Sequence, residues 1–136
     1  MQLNLHQNQH KYAVKGCDQR GICINDHCFQ HSLIVAADQL YTDWPVTGLE
    51  QLSLALLQPV IDSKPEILLI GTGAQQQLPD VNLLQALLQH DIVAEFMHTA
   101  AACRTFNVLL DEQRDVMAAL IWQAENPADP AARHYA

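Results

Sequence analysis

Apolar and polar residues alternate in short runs over the first third of the chain. Helical stripes separated by solid apolar runs follow. Leu3 and Leu5 alternate with polar neighbours and predict a short strand; Tyr12-Ala-Val14 and Ile22-Cys-Ile24 predict two more, joined around Gly16 to Gly21. Asn25-Asp26 signals a turn before Cys28, and Phe29 to Ala37 is the longest strand candidate of this part. Trp44-Pro45 closes it, because a residue preceding proline is held extended.

Beyond Val46 the period changes. Thr47-Gly-Leu-Glu50 has the spacing of a capping box, in which hydroxyl and carboxylate satisfy each other's backbone amides. Leu49, Leu52, Leu56 and Leu57 continue as a helical stripe, which Pro59 and Pro65 are expected to close. Ile67-Leu-Leu-Ile70 is apolar on both faces, as a buried parallel strand would be, and Gly71-Thr-Gly73 breaks it. Pro79-Asp80 offers an N-cap to a stripe of Val81, Leu84, Leu87 and Leu88. Ile92 to Met97 is a second two-faced run, interrupted only by Glu95. Thr99 can cap a third helix with Ala102, Cys103, Phe106, Leu109 and Leu110 facing inward. The segment Val116 to Ile121 contains Met-Ala-Ala-Leu, which suits a helix by propensity. The alternation of strand and helix over residues 66–121 implies a right-handed βαβ unit. The expected architecture is α/β: a single three-layer domain over residues 1–122, with a mixed β-sheet and an N-terminal β-rich part. A mobile tail is expected over residues 123–136, which carry Pro127 and Pro130.

Composition narrows the choice of partner. Of 136 residues 49% are hydrophobic and 16% charged, which suits one packed core and argues against disorder. Seven Lys and Arg stand against 15 Asp and Glu, a net charge of −8. That balance disfavours nucleic acid, which needs a cationic footprint, and an anionic membrane surface as well. No apolar run approaches the ~18 residues of a membrane span. The start of the chain lacks the basic and apolar regions of a secretory signal. A cytoplasmic location is expected, with Cys17, Cys23, Cys28 and Cys103 reduced.

Four groups of residues bear on chemistry. Gly71-Thr72-Gly73 can cradle an anion on free backbone amides, or be a tight turn leaving a strand; it lacks the third glycine of a dinucleotide fingerprint and any P-loop lysine. Glu95 is expensive inside an apolar strand unless paired. As a site it would be an acid or base, with Arg104 as an anion clamp, Asn107 on the same helix face, and Thr99 at a helix start that favours anions. As structure, it is a buried partner for Arg104 or an amide, and Thr99 an ordinary cap. Cys23, His27, Cys28 and His31 have zinc-ligand chemistry in no standard spacing, and Cys28 and His31 point to opposite faces of a strand. Cys103 lies on an inward stripe, where a thiol is inert. No Gly-x-Ser-x-Gly elbow occurs. No catalytic residue, metal or cofactor is assigned.

Ile67-Leu-Leu-Ile-Gly-Thr-Gly73, Trp44-Pro45, and above all Glu95-Phe-Met-His-Thr-Ala-Ala-Ala-Cys-Arg-Thr-Phe-Asn-Val-Leu109 give the chain a likeness that covers residues 3–122. It resembles the domain-of-unknown-function family that includes a mitochondrial complex I assembly factor and a vertebrate adipogenesis-associated protein. His90-Asp91 stands where the family pattern leads one to expect a glycine. The resemblance implies a three-layer α/β domain with a mixed sheet, a strand at Val116 to Ile121, and no established catalytic activity. Two functions are therefore carried forward. One is a non-catalytic protein-interaction or assembly module with a protein partner. The other is a small-molecule binder or enzyme that takes an anion or carboxylate in a crevice formed by Gly71, Thr72, Gly73, Glu95, Thr99, Arg104 and Asn107.

Overall fold

A computed structural model describes residues 11–124 of the chain. Strands β1 (Val14–Asp18), β2 (Gly21–Ile24) and β3 (His27–Phe29) form an antiparallel sheet in chain order. Asn25 and Asp26 make the loop between β2 and β3, with Ile24 opposite His27 and Asn25 at φ 52°. Asn tolerates the left-handed conformation that a two-residue hairpin demands. The strand expected at Tyr12 starts at Val14, and a register shift between Val14 and Gly16 bulges it. The strand expected at Leu3 and Leu5, and the tail from Glu125, lie outside the described residues.

The long strand expected over Phe29 to Ala37 is two strands. β3 ends at Phe29, and β4 (Leu33–Ala36) belongs to a different sheet. The polar residues Gln30, His31 and Ser32 carry the change of direction; the buried Ser32 hydroxyl accepts from the Trp122 N–H at 2.9 Å. With β5 (Leu40–Tyr41), β6 (Ile67–Gly71), β7 (Val93–Met97) and β8 (Val116–Leu120), β4 builds a five-stranded sheet in the order β5-β4-β8-β6-β7. β6 runs parallel to both β7 and β8, while β4 is antiparallel to β8, so the sheet is mixed as expected.

β8 is the strand that the resemblance implied. Helix propensity loses because the segment sits mid-sheet with all five residues buried. Ala118 and Ala119 are 0% exposed, one on each face, and their small side chains let both covering layers approach. The period of two sorts the core. Leu33, Val35, Leu69, Val116, Ala118 and Leu120 face one side, where they meet Phe106, Ala102 and the small sheet. Ile34, Leu68, Ile70, Met117, Ala119 and Ile121 face the other, against Leu57, Val60, Leu83 and Leu87.

The helices fill those two outer layers. α2 (Val81–Gln89) is capped as expected by Asp80, whose carboxylate accepts from the Asn82 N–H at 3.0 Å. α3 (Thr99–Asp111) packs on β1, β6 and β8. The helix expected from Thr47 does not form as one unit. The stripe splits into 3₁₀ turns at Leu49–Gln51 and Ala55–Leu57, then α1 (Gln58–Ser63). Pro59 lies in the first turn of α1 and opens it, because proline is tolerated where the N–H has no partner anyway. The capping pair is also corrected: Gln51, not Glu50, reaches back, its Oε1 accepting from the Gly48 N–H at 3.1 Å and the Thr47 hydroxyl at 3.0 Å.

The expectation of four free thiols is corrected as well. Cys23 stands directly opposite Cys28 across β2 and β3, and their sulfurs are bonded. Directly opposed antiparallel residues bring their Cβ atoms within disulfide reach. Cys17 and Cys103 are free and buried.

Candidate functional site

β6 and β7 are parallel neighbours, so their C-terminal ends share one sheet edge, the place where open α/β sheets bind ligands. β6 leads into α2 on one face, whereas β7 leads into α3 on the other. Gly71, Thr72, Gly73 and Thr99 are brought together at this edge.

Their polar groups are bonded to one another. The Thr99 hydroxyl accepts from the Gly73 N–H at 2.8 Å and donates to the Ile121 carbonyl at 2.7 Å. The Thr99 N–H donates to the Gly73 carbonyl, and the Thr72 N–H to the Met97 carbonyl, each at 2.8 Å. Ile121 closes the set by donating to the Gly71 carbonyl at 3.0 Å. One side chain thus ties together the ends of β6 and β8 and the start of α3. Thr99 is 0% exposed and Thr72 1%. Gly71 is required by this approach: a Cβ there would stand 2.8 Å from the Thr99 Oγ1 and 2.9 Å from its Cα. Gly73, at φ +102°, has a conformation that side chains disfavour. Thr99 is not the helix cap. That place is taken by His98, whose Nδ1 accepts from the Ala101 N–H at 3.3 Å.

The other candidates lie apart. Glu95 is exposed on β7, an edge strand, and makes no ion pair with Arg104; the ion pairs among the described residues are Arg20–Asp18 and Arg114–Glu66. The expectation of a buried, paired Glu95 is therefore corrected: strand order leaves β7 uncovered on one side. Arg104 is exposed on α3. Asn107 serves the fold. Its Nδ2 donates to the Val14 carbonyl at 2.6 Å and its Oδ1 accepts from the Val14 N–H at 3.4 Å, so its amide pins β1 onto α3. Burial pushes the Cys103 thiol up to about 12 and raises Cys17 too, helped by Cys103 and Asp18. Neither is a nucleophile at neutral pH.

Beside the Thr99 tie lies a recess of about 480 Å³ that the sequence reading missed, lined chiefly by His31, Trp44, Pro45, Val46 and Trp122. Hydrogen bonds fix both indoles: Trp44 Nε1 donates to the Leu56 carbonyl at 2.6 Å, Trp122 Nε1 to the Asp18 carbonyl at 2.9 Å. The available signal was that both tryptophans of the chain sit at the ends of strand or extended segments.

A family profile described as "Protein of unknown function (DUF498/DUF598)" matches residues 14–121. The chain is 32% identical over 95 residues to a "13 kDa major membrane protein" of Francisella tularensis, covering 68% of this chain and 76% of that protein. It is 43% identical over 84 residues to NADH dehydrogenase (ubiquinone) 1 alpha subcomplex assembly factor 3 of Xenopus tropicalis, covering 61% of this chain and 44% of that protein, so the chain spans under half of that relative. An NMR structure from Xanthomonas campestris superposes with a TM-score of 0.78 at 38% identity, covering 93% of this chain and 96% of the other. No helix among the described residues is long and apolar enough to cross a membrane.

Proposed function

The chain belongs to the DUF498/DUF598 family of proteins of unknown function, and from that premise we propose that it is a non-catalytic interaction module of the assembly-factor type, acting on a protein partner. The observation that carries the reading is the Thr99 tie. At the edge where an α/β enzyme presents free donors to a substrate, Gly73, Thr72 and Thr99 spend theirs inside the chain. The same residues that give the chain its family likeness therefore serve as a fold-closing device. Kinship with assembly factors supports a protein as the partner.

The test is isolation of the full chain, at low salt, from the cells that make it, followed by cross-linking and mass determination. A stoichiometric complex with another protein is expected. A chain that runs alone and is stabilised by small metabolites would overturn the reading. A second reading, a binder of small anions or carboxylates beside Gly71, Gly73 and Thr99, is favoured by the adjoining recess, whose volume suits a small ligand. A thermal-shift screen of carboxylates, with Trp44→Ala as control, decides it: stabilisation lost in the variant supports this second reading.

A further inference from the structure

The two edges of the five-stranded sheet are unlike. β5 is two residues long and is followed by Pro45, the ordinary protection of an edge. β7 is five residues long and, among the described residues, has no strand on its outer side. Met97 directs its carbonyl inward, to the Thr72 N–H. Alternation then turns the backbone of Ala94 and Phe96 outward. Gln76 Nε2 covers one of these groups, the Phe96 carbonyl, at 3.1 Å. The Ala94 N–H and carbonyl and the Phe96 N–H have no partner among the described residues.

Apolar surface is exposed on β7 and on the elements that flank it. The large hydrophobic residues most exposed among those described are Leu78 (85%), Val81 (63%), Leu88 (61%), Val108 (53%) and Val93 (51%). Val93 is in β7 itself. Leu78 lies two residues past Gln76, and Val81 and Leu88 lie in the first and last turns of α2, which covers the other face of β7. Thr105 touches the Met97 sulfur at 3.6 Å, but α3 then runs over β6, β8 and β1, which leaves Val93 and Glu95 uncovered on that face of β7. Exposed apolar residues scattered singly mean little, but Val93 stands on the open strand itself, on the same face as Glu95 and beside the unpaired backbone groups.

We propose that β7 is the docking edge of the module, taking one extended segment of another protein by strand addition, with a lysine or arginine opposite Glu95 and apolar residues on either side. This deepens the interaction reading above and rests on it. Free backbone groups call for an extended partner. Charge chooses its chemistry. Glu95 is exposed at the centre of β7 with no ionic partner among the described residues, in a chain of net charge −8. Full antiparallel pairing with a second copy would set Glu95 against Glu95 in a non-hydrogen-bonded pair, where side chains are closest and like charges repel. A basic residue at that position converts the repulsion into attraction.

The probe is the blocked peptide acetyl-Thr-Val-Thr-Lys-Thr-Val-Thr-amide, titrated to millimolar into the isotope-labelled full chain and followed by NMR. The Ala94 and Phe96 amides should shift and exchange more slowly. A peptide with Glu in place of Lys should bind about fivefold more weakly, and Glu95→Lys should reverse the order. No change at those amides, changes confined to the Trp44 and Trp122 recess, or equal binding of the two peptides would overturn the proposal. So would a free chain of doubled mass with both amides already protected, which would assign the edge to a second copy. Ala94→Pro removes an outward N–H without breaking a ladder bond and should abolish peptide binding while the circular dichroism stays native. If the complex isolated above survives Ala94→Pro, the edge assignment fails and the module reading stands; if no complex exists, both fail.

Discussion

Replacing Thr99 by valine keeps the shape of the side chain and removes only its hydroxyl. The Gly73 N–H and the Ile121 carbonyl then lose partners 2.8 and 2.7 Å away, at a side chain with no solvent exposure. Each buried group left without a partner costs about 1–3 kcal/mol. The Ile121 carbonyl has a second lone pair and relaxes more easily, so the sum is about 2–4 kcal/mol. With a urea slope of about 1–2 kcal/mol/M for a domain of this size, the unfolding midpoint should fall by roughly 2 M. Thr99→Ser keeps the hydroxyl and loses one methyl, so it should cost about 1 kcal/mol. Equilibrium urea unfolding of the three proteins is the assay. A valine variant within about 0.5 kcal/mol of wild type, the scatter of surface substitutions, would refute the tie, as would a serine variant as damaged as the valine one.

Other consequences are read more simply. Thiol titration in denaturant without reductant should count two free cysteines, Cys17 and Cys103, rather than four, and in the native state alkylation of both should be slow at mildly alkaline pH, since burial raises both thiols. Gly71→Ala drives a Cβ into the Thr99 backbone and should cost about 1–3 kcal/mol or more in thermal unfolding, because neither strand nor helix start can retreat. Asn107→Ala should cost about 1–2 kcal/mol, and amide exchange should speed up first in β1, the strand that this side chain holds.

How much of this was legible follows from what each residue type reports. The apolar runs Ile67 to Ile70 and Ile92 to Met97 were readable as parallel neighbours joined by a helix, and Asp80 as a cap, because burial and capping are local signals. Sheet order is not local. Nothing in Val93 to Met97 says that β7 is an edge, so Glu95 looked buried. The leucines Leu49, Leu52, Leu56 and Leu57 follow the α-helical period, but Leu52 adopts an extended backbone and splits the stripe into separate 3₁₀ turns. Val116 to Leu120 has alanines that read as helix, yet its place at the sheet centre selects them for size. For the site, the motif's residues were found but their partners were not. A threonine before a helical stripe looks like a cap whether its hydroxyl faces its own helix or, as here, two strands. The recess needed Trp44 and Trp122, far apart in sequence, to be placed side by side.

If the Gly71–Gly73 and Thr99 junction is closed architecture, its backbone donors are already satisfied within the chain. Amide hydrogen exchange at Thr72, Gly73 and Thr99, measured by NMR with and without sulfate, phosphate and small carboxylates, tests it most directly. Slow exchange at all three amides, unchanged on adding any of the anions, is expected. Rapid exchange at Gly73 or Thr99 that becomes slow when an anion is added would contradict it.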